Sequence, residues 1–471
     1  MKIIGKKGER CKFSAYVTGS GGRIEASAVN CSFAVGSIPM CKIFVPPEML
    51  SKIPDEETND IYEVVVDDGS GESTIFTGYF SGDNGKITGN SISAGFNLIH
   101  PARDLDSTRL SAPSLHPASA IDYTYTWSGA ATSGGAAGSS YTFAKDPSFY
   151  EKGKGQVPKQ IVSALVKHLS GIQGASSSLN GANVKTDSMQ AGIDLLNKIK
   201  FQDGKLESSL EGPLSTSDDN SLNAWARNRA IGSFTGMRSV WDTLTSIFTD
   251  LGIYLVCDNN GDITAMVDCS GMTNQANSLD GSYLTSFEKA SSMFRNVGEV
   301  LIISDNVRNQ SGGTGGGGGG TGGAGAFVSY PQSGAKIGAT LILQIPGWLN
   351  PIAETTGDLL PVQRQYARMM YTLERNKFST ISVSGPLAPF VVPGTICSVT
   401  PYSAIKARSG GSLEDFSRTY VGYCHQISHN LDVKGGSCQT TFLLKNVSVK
   451  GKGVEIQTHP LFDDVNPFTW K

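Results

Sequence analysis

The sequence predicts an α+β, β-rich fold with two antiparallel β domains, of the barrel or sandwich type, separated by an inserted helical and α+β region. In residues 11–127 and 378–449, short runs alternate between apolar and polar residues, and turn residues bound them. Between these blocks the apolar spacing changes toward a period of 3.6 residues, as in helices. The 56 glycines and the low charged fraction of 17% are typical of turn-rich β proteins.

The changes in composition and periodicity predict six segments. They are a first β domain (1–127), a linker and helical insertion (128–236), a helix plus β-hairpin module (237–298), a strand with a Gly-rich flexible loop (299–330), a second β domain (331–449) and a C-terminal tail (450–471). Further helices are expected around residues 161–169, 193–199, 221–230 and 362–373.

The clearest hairpin of the first block lies between residues 61 and 80. Residues 61–66 are mostly β-branched, and residues 74–80, which include Phe76 and Gly78, form the second strand. Asp68 and Gly69 lie in the turn, where Asp-Gly accommodates positive φ. Residues 61–80 therefore predict a tight β-hairpin.

Alternation along this first strand assigns its two faces. The apolar set is predicted to be buried, and Glu63 on the other face is predicted to point toward a channel or solvent. The buried set is Tyr62, Val64 and Val66, and the opposite set is Ile61, Glu63 and Val65.

The inserted module has the strongest local helix pattern. Apolar residues in 240–251 predict an amphipathic helix, with Gly252 at its C-terminal cap. Residues 253–257 and 263–267 then predict a β-hairpin, with Asn260 and Gly261 as a type I′ turn.

The overall charge and the apolar pattern exclude some partners. The formal net charge is −3, which gives no general attraction to nucleic acid. The longest apolar runs are far shorter than the roughly 20 residues of a membrane-spanning helix, and the start lacks a secretory pattern. We expect synthesis in the cytoplasm, no membrane insertion, and eight cysteines that are mostly buried reduced thiols.

Several patterns suggest ligands, and each has a simpler interpretation. The glycine run at 312–325 matches a dinucleotide motif through composition alone. Asp258, Asn260 and Asp262 have calcium-loop spacing, but Gly261 falls at the fourth loop position and Cys269 at the twelfth. A hairpin turn is the favoured interpretation, and no cofactor is predicted.

The histidines and carboxylates do not predict a catalytic or metal site either. His425 and His429 are four residues apart on an expected strand, sharing a face about 13 Å apart, while Cys424 points to the opposite face from His425. The acidic runs 55–57 and 463–464 are expected to be solvated loops. The alternating aromatics of 123–127 favour an interface or core edge over a sugar platform.

The order of these elements resembles that of tail hub proteins of long-tailed phages and contractile injection systems. The Asp-Gly turn followed by Ile-Phe-Thr-Gly-Tyr at 75–79 resembles the hairpin of the family's first barrel. The helix and hairpin at 239–267 resemble the module between its two barrels. The segments 386–394 and 422–430, with the Thr-rich strand after Gly435-Gly436, resemble its second barrel.

The resemblance implies a non-enzymatic virion protein of the tail or baseplate. Both β domains would be tail-tube-like, and a homotrimer would form a pseudo-sixfold ring between the tail tube protein and a threefold spike or tail-tip protein, surrounded by other baseplate proteins. DNA would pass through the channel without specific binding during genome ejection. A receptor- or glycan-binding adhesin and a tail-associated cell-wall hydrolase are the alternatives.

Overall fold

The computed structural model describes the two β blocks and parts of the region between them. The described residues are 4, 12–54, 60–88, 91–108, 126–128, 140–142, 162, 165–166, 169–170, 186–201, 233–234, 239–250, 253–267, 277–280, 284–290, 296–303, 327–331, 338–344, 367, 370–371, 373–375, 377–401 and 418–449.

The elements follow one another along the chain in three groups. The first block contains β1 (Ser14–Gly19), β2 (Gly22–Glu25), β3 (Ala28–Ala34), β4 (Met40–Val45), a 3-10 helix (Pro47–Lys52), β5 (Ile61–Asp67), β6 (Glu72–Thr88), β7 (Ser91–Ile99) and α1 (Arg103–Ser107). The middle contains β8 (Thr126–Ser128), β9 (Ser140–Thr142), α2 (Thr186–Asn197), β10 (Lys200–Phe201), β11 (Ser233–Phe234), α3 (Val240–Asp250), β12 (Ile253–Cys257), β13 (Ile263–Val267), β14 (Asn277–Asp280), β15 (Ser286–Ala290), β16 (Val297–Ile303), β17 (Phe327–Tyr330) and β18 (Ala339–Gln344). The last block contains β19 (Thr380–Pro386), β20 (Ile396–Thr400), β21 (Tyr420–Asp432) and β22 (Ser437–Val449).

Thirteen strands form one large sheet that contains both β blocks. Its main path runs β15-β19-β22-β21-β3-β4-β7-β6-β5-β1-β2, and β14 and β20 pair beside it. The strands are antiparallel to their neighbours apart from the β14/β20 pair. The predicted α+β, β-rich fold class is therefore confirmed, and the described strands form no closed barrel.

The two blocks meet where β3 pairs with β21. Seven consecutive residue pairs join them, from Gln426 opposite Ala34 to Asp432 opposite Ala28. Nearly 400 residues of sequence separate these partners. The two blocks predicted from the sequence thus continue each other edge to edge.

The sheet is strongly curled around its apolar side. Strands β4 and β7 lie between β3 and β6, so a flat sheet would hold β3 and β6 roughly 14 Å apart. Nevertheless the ring centroids of Phe33 on β3 and Phe76 on β6 are 5.5 Å apart. His429 from the second block also lies against Phe33 at 6.0 Å. One hydrophobic core therefore includes side chains of both blocks.

The inserted module packs against the rim of this sheet at the junction. Helix α3 contacts β12, and β12 and β13 form a small sheet with β10. The amide of Gly36, just after β3, donates to the carbonyl of Leu255 at 2.9 Å. The rings of Tyr254 and Tyr423 stack at 6.0 Å. The module thus touches both blocks.

Element boundaries in the middle region differ from the expected ones in two places. Helix α2 begins at Thr186, seven residues before the predicted start, because polar residues form its first turns. Strands β14 and β15, from the end of the predicted 237–298 module, pair with β20 and β19 of the large sheet. The predicted helix at 221–230 and the glycine run lie outside the described residues.

Among the described helices, none has the length and apolar character needed to cross a membrane.

Candidate functional surface

The outer side of the large sheet carries a row of hydroxyl groups across five adjacent strands. Register partners on neighbouring strands point to the same side of a sheet, so their side chains form a continuous line. Ser32 and Ser286 are exposed, and the Ser384 and Thr441 hydroxyl oxygens lie 3.0 Å apart. This hydroxyl row consists of Ser286, Ser384, Thr441, Ser428 and Ser32.

A second line of polar residues lies two positions further along β22, β21 and β3, and it continues onto β4 and β7. Three of its members carry side-chain amides on adjacent strands, and Asn30 and Asn430 are exposed. Its one charged member, Lys42, places its Nζ 5.0 Å from the centre of the Phe44 ring. This amide row consists of Gln439, Asn430, Asn30, Lys42 and Asn97.

Together the hydroxyl row and the amide row form what we call the polar face. Both rows cross the β3/β21 junction, so the polar face includes residues of both blocks. Nine of its ten residues are uncharged and can donate and accept hydrogen bonds. The face is hydrophilic but has almost no net charge.

Beyond Ser32 the same line continues as an apolar strip over β4, β7, β6 and β5. The register partners are Met40, Ile99, Tyr79 and Ile61, of which Met40 is 48% exposed and Ile61 is 52% exposed. Helix α1 covers part of it, since Tyr79 donates to Asp104 at 3.1 Å. Burial and the Asp104 carboxylate together raise the pKa of Tyr79 to about 12.

Glu63 lies on this same outer side of the sheet. It is exposed, while Tyr62, Val64 and Val66 point into the core. Val65 is also buried, although alternation predicts that it lies on the same face as Glu63. A register shift follows Val64, and Val65 is paired across the strands with Tyr16, whose large side chain covers it. Whether Glu63 faces a channel stays a prediction.

The Asp-Gly turn joins β5 and β6 over residues 68–71. The Asp68 carboxylate accepts from the Ser70 amide at 3.0 Å and from the Ser70 hydroxyl at 2.8 Å. Gly69 has a φ of 81°, a conformation that favours glycine. Phe76, further along β6, is fully buried in the core.

Gly78 allows β6 and β7 to approach each other closely. A Cβ atom at this position would lie within 2.8 Å of the Ile99 carbonyl carbon and of Cε1 of Phe76, and even closer to the Ile99 carbonyl oxygen. Backbone atoms in the middle of a sheet cannot move away without breaking the pairing. Glycine at position 78 is therefore a packing requirement.

We expect Gly78→Ala to reduce the free energy of unfolding by about 2–3 kcal/mol, the upper range for an added methyl in a packed core. Chemical denaturation followed by circular dichroism measures this change. Gly85→Ala on the same strand is the matched control, because no atom lies within 4 Å of its added Cβ. Equal stability of the two variants would contradict the close packing of β6 and β7 at Gly78.

The hairpin loop of the inserted module fastens the module to both β blocks. The carbonyl oxygen of Asn259 accepts from the Thr77 hydroxyl of the first block at 2.8 Å. The side-chain amide of Asn259 donates to the Pro389 carbonyl of the second block at 2.7 Å. A Cβ on the nearby Gly261 would lie 3.3 Å from Pro101. Sequence analysis singled out the neighbours Asn260 and Gly261 but not Asn259 itself.

The predicted type I′ turn at Asn260-Gly261 is wrong. A type I′ turn requires positive φ at both residues, and only Gly261 has it, at 87°. The Asp258 amide instead pairs with the Asp262 carbonyl at 3.0 Å, which leaves a three-residue loop with glycine last. The Asp258 carboxylate accepts from the amides of Asn260 and Asp262 at 2.9 and 3.0 Å. The spacing of Asp258, Asn260 and Asp262, which resembles that of a calcium loop, is therefore explained by the hydrogen bonds of this turn.

We expect Asn259→Ala to destabilise the protein by about 1–3 kcal/mol, because it leaves the Pro389 carbonyl without its hydrogen-bond donor. Thermal unfolding of the purified protein tests this. Asn260→Ala is the matched control, since Asn260 is exposed. A larger loss for the control than for Asn259→Ala would refute the role of this bridge.

The histidines of β21 do not share one face, contrary to the expectation. A register shift between Cys424 and Gln426 reverses the alternation, so Cys424 and His429 both point into the core. His425 instead lies against the Tyr423 ring. Burial lowers the pKa of His429 to about 4, and burial together with Lys445 does the same for His425.

Within the described part of the chain, no group of three or more His, Cys, Asp or Glu side chains could hold a metal ion. The acidic runs at 55–57 and 463–464 and the aromatics Tyr123 and Tyr125 lie outside the described residues.

Comparisons with known proteins give structural neighbours only, because no protein-family model and no curated protein matches this sequence. A tail protein from Neisseria meningitidis MC58 is 12% identical over 92% of this chain and 96% of its own, with a TM-score of 0.49. A 43 kDa tail protein of prophage MuSo2 from Shewanella oneidensis is 10% identical over 92% of this chain and 98% of its own, also at 0.49.

A third neighbour comes from a secretion system. This Escherichia coli protein is a component of the type VI secretion system with structural similarity to the T4 bacteriophage tail proteins gp27 and gp5. It is 8% identical over 96% of this chain and 78% of its own, with a TM-score of 0.37. The neighbours are thus phage tail and baseplate-like proteins, the class that the sequence resembles. Their TM-scores are below 0.5, so no function is inferred from these neighbours.

Proposed function

We propose that this protein is a structural, non-enzymatic hub of a phage-type tail, located in the tail or baseplate of the virion. In this role a homotrimer caps the tail tube, adapts its sixfold symmetry to a threefold spike or tail-tip protein, and lines the channel for genome ejection. The observation that carries the proposal is the polar face, which continues from one β block to the other across the β3/β21 junction.

The chemistry of the polar face suits a surface along which DNA slides. Lys and Arg side chains that neutralise phosphates release counterions, and this release makes DNA binding strong. A face with one lysine among ten residues provides almost none of that attraction. Ser384 is buried, but the exposed hydroxyl and amide groups of the face would hydrogen-bond water and would not bind the DNA tightly.

The two end strands of the large sheet support assembly into a ring. The described main path ends at β15 on one side and at β2 on the other. The two blocks already continue each other through β3 and β21. Three copies would provide six such blocks, which is the number of subunits in one ring of a hexameric tube.

Imaging of the intact particle at near-atomic detail tests this proposal. The expected result is a threefold ring below the tube, with Ser32 and Asn430 facing the axial hole. A monomer at the periphery of the baseplate would instead support a receptor- or glycan-binding adhesin. Cleavage of purified cell wall by the isolated protein would support a hydrolase. Either result would overturn the hub role.

A further inference from the structure

Strands β3 and β4 place two cysteines directly opposite each other in the core. Cys31 and Cys41 are register partners, and their Sγ atoms are 2.7 Å apart. Directly opposed residues in antiparallel strands have Cα atoms about 4.5–5.5 Å apart, within the range that a disulfide bridges. The backbone already has the geometry that an S–S bond between them needs.

A second buried pair in the other block provides an internal comparison. Cys397 on β20 is opposite Gly422, so Cys424 lies two residues away from the directly opposed position. The Cys397 and Cys424 thiols hydrogen-bond each other, but the Cys424 thiol also lies 3.7 Å from the Gln426 carbonyl and the Cys397 thiol lies 4.0 Å from the Thr395 carbonyl. The backbone therefore favours bond formation at Cys31 and Cys41 over the second pair.

We propose that Cys31 and Cys41 are an oxidative modification site, at which hydrogen peroxide converts the two thiols into an intrachain disulfide. In the first step the Cys31 sulfur attacks one peroxide oxygen, the O–O bond breaks, and the thiol proton leaves in a water molecule. The Cys41 sulfur then attacks the Cys31 sulfenic acid, the S–O bond breaks, and a second water leaves. Both thiols are oxidised while one peroxide is reduced to two waters.

The surroundings of the two sulfurs set the order of these steps. Both cysteines are buried, and Cys31, at 2% exposed against 0% for Cys41, is the one to which the proposal assigns the first attack. Burial and the hydrogen bond with Cys31 raise the pKa of Cys41 well above its usual value. Cys41 is therefore a neutral thiol, and its proton leaves with the sulfenic acid oxygen in the second water.

The bond would lie in the first block, beside the strand pair where the two blocks join. Strand β3 pairs with β21 on one side and with β4 on the other. A Cys31–Cys41 bond would fix β3 to β4 covalently, so that the strand that pairs with β21 could not separate from the rest of the first block. Such a change suits a protein that leaves a reducing cytoplasm and meets oxidants outside the cell.

The test treats the folded full-length protein with hydrogen peroxide and maps its unreduced peptides by mass spectrometry. We expect the thiol count under denaturing conditions to fall from eight to six, with the Cys31 peptide joined to the Cys41 peptide. Cys397→Ala, the matched control, should still lose two thiols and form the same link. A folded protein that keeps all its thiols, or that links other cysteines instead, would overturn the proposal.

A second variant tests the order of the steps independently of the bond. In Cys41→Ala the sulfenic acid on Cys31 has no partner, so dimedone should label Cys31 after peroxide treatment. Label on Cys31 in this variant, together with none in the wild-type protein, supports the mechanism. Absence of label on Cys31 in folded Cys41→Ala would contradict it.

Discussion

Val64→Asp is expected to prevent folding of the first β block and therefore all assembly. Val64 is completely buried, with β1 and β6 as its neighbours in the sheet. The cost of burying a carboxylate here is comparable with the roughly 5–15 kcal/mol by which a folded domain is stable.

Soluble yield and the thermal unfolding of the purified variant measure this effect. Ile61→Asp is the matched control, because it introduces the same charge on the same strand at a side chain that is 52% exposed. The control should fold with a stability close to that of the wild-type protein. If Val64→Asp particles assembled at wild-type yield, the side assignment of β5 would be wrong.

Local sequence patterns predicted the elements that depend on neighbouring residues. The hairpin of β5 and β6 follows from β-branched residues on each side of Asp68-Gly69. Helix α3 and the β12/β13 hairpin follow from an apolar stripe and a glycine-containing turn. In each case the residues that determine the structure are close together in the sequence, so a single sequence contains the required information.

Pairings between distant residues could not be predicted in the same way. Nothing in 28–34 indicates that these residues pair with 426–432, because any strand with the same alternation could pair with this edge of β3. The register shift near His425 was also missed. One extra residue in a strand moves every later side chain to the opposite face of the sheet, and it leaves no local pattern in the sequence. The role of Asn259 depends on two partners that lie more than 100 residues away in the sequence.

The polar face shows the same limit at the level of the candidate site. Its members are ordinary Ser, Thr, Asn and Gln residues on separate strands, and none forms a motif alone. One signal was present, since polar residues alternate with apolar ones along 29–33. Glu63, which was predicted from alternation, lies on the same side of the sheet. The alignment of Ser32 with Ser428 required the long-range register.

Adding positive charge to the polar face is expected to slow genome ejection while leaving assembly intact. Ser32→Lys with Asn430→Lys places two exposed lysines on adjacent strands without making them direct register partners. In a trimer this adds six positive charges to the channel wall. Each new contact with a phosphate must break as the DNA advances, and we expect roughly a tenfold slower transfer at low salt. The rate of DNA entry into host cells after adsorption measures it.

The size of the effect should depend on salt and on the position of the charge. Higher salt weakens lysine–phosphate contacts, so raising the ionic strength should restore most of the ejection rate. Ser32→Gln with Asn430→Gln controls for side-chain size, and Ser51→Lys with Ser70→Lys adds the same charge at exposed positions away from the polar face. Glu63→Lys, tested separately, shows whether the channel wall extends to β5. Normal ejection by assembled Ser32→Lys/Asn430→Lys particles at low salt would mean that the polar face does not line the channel.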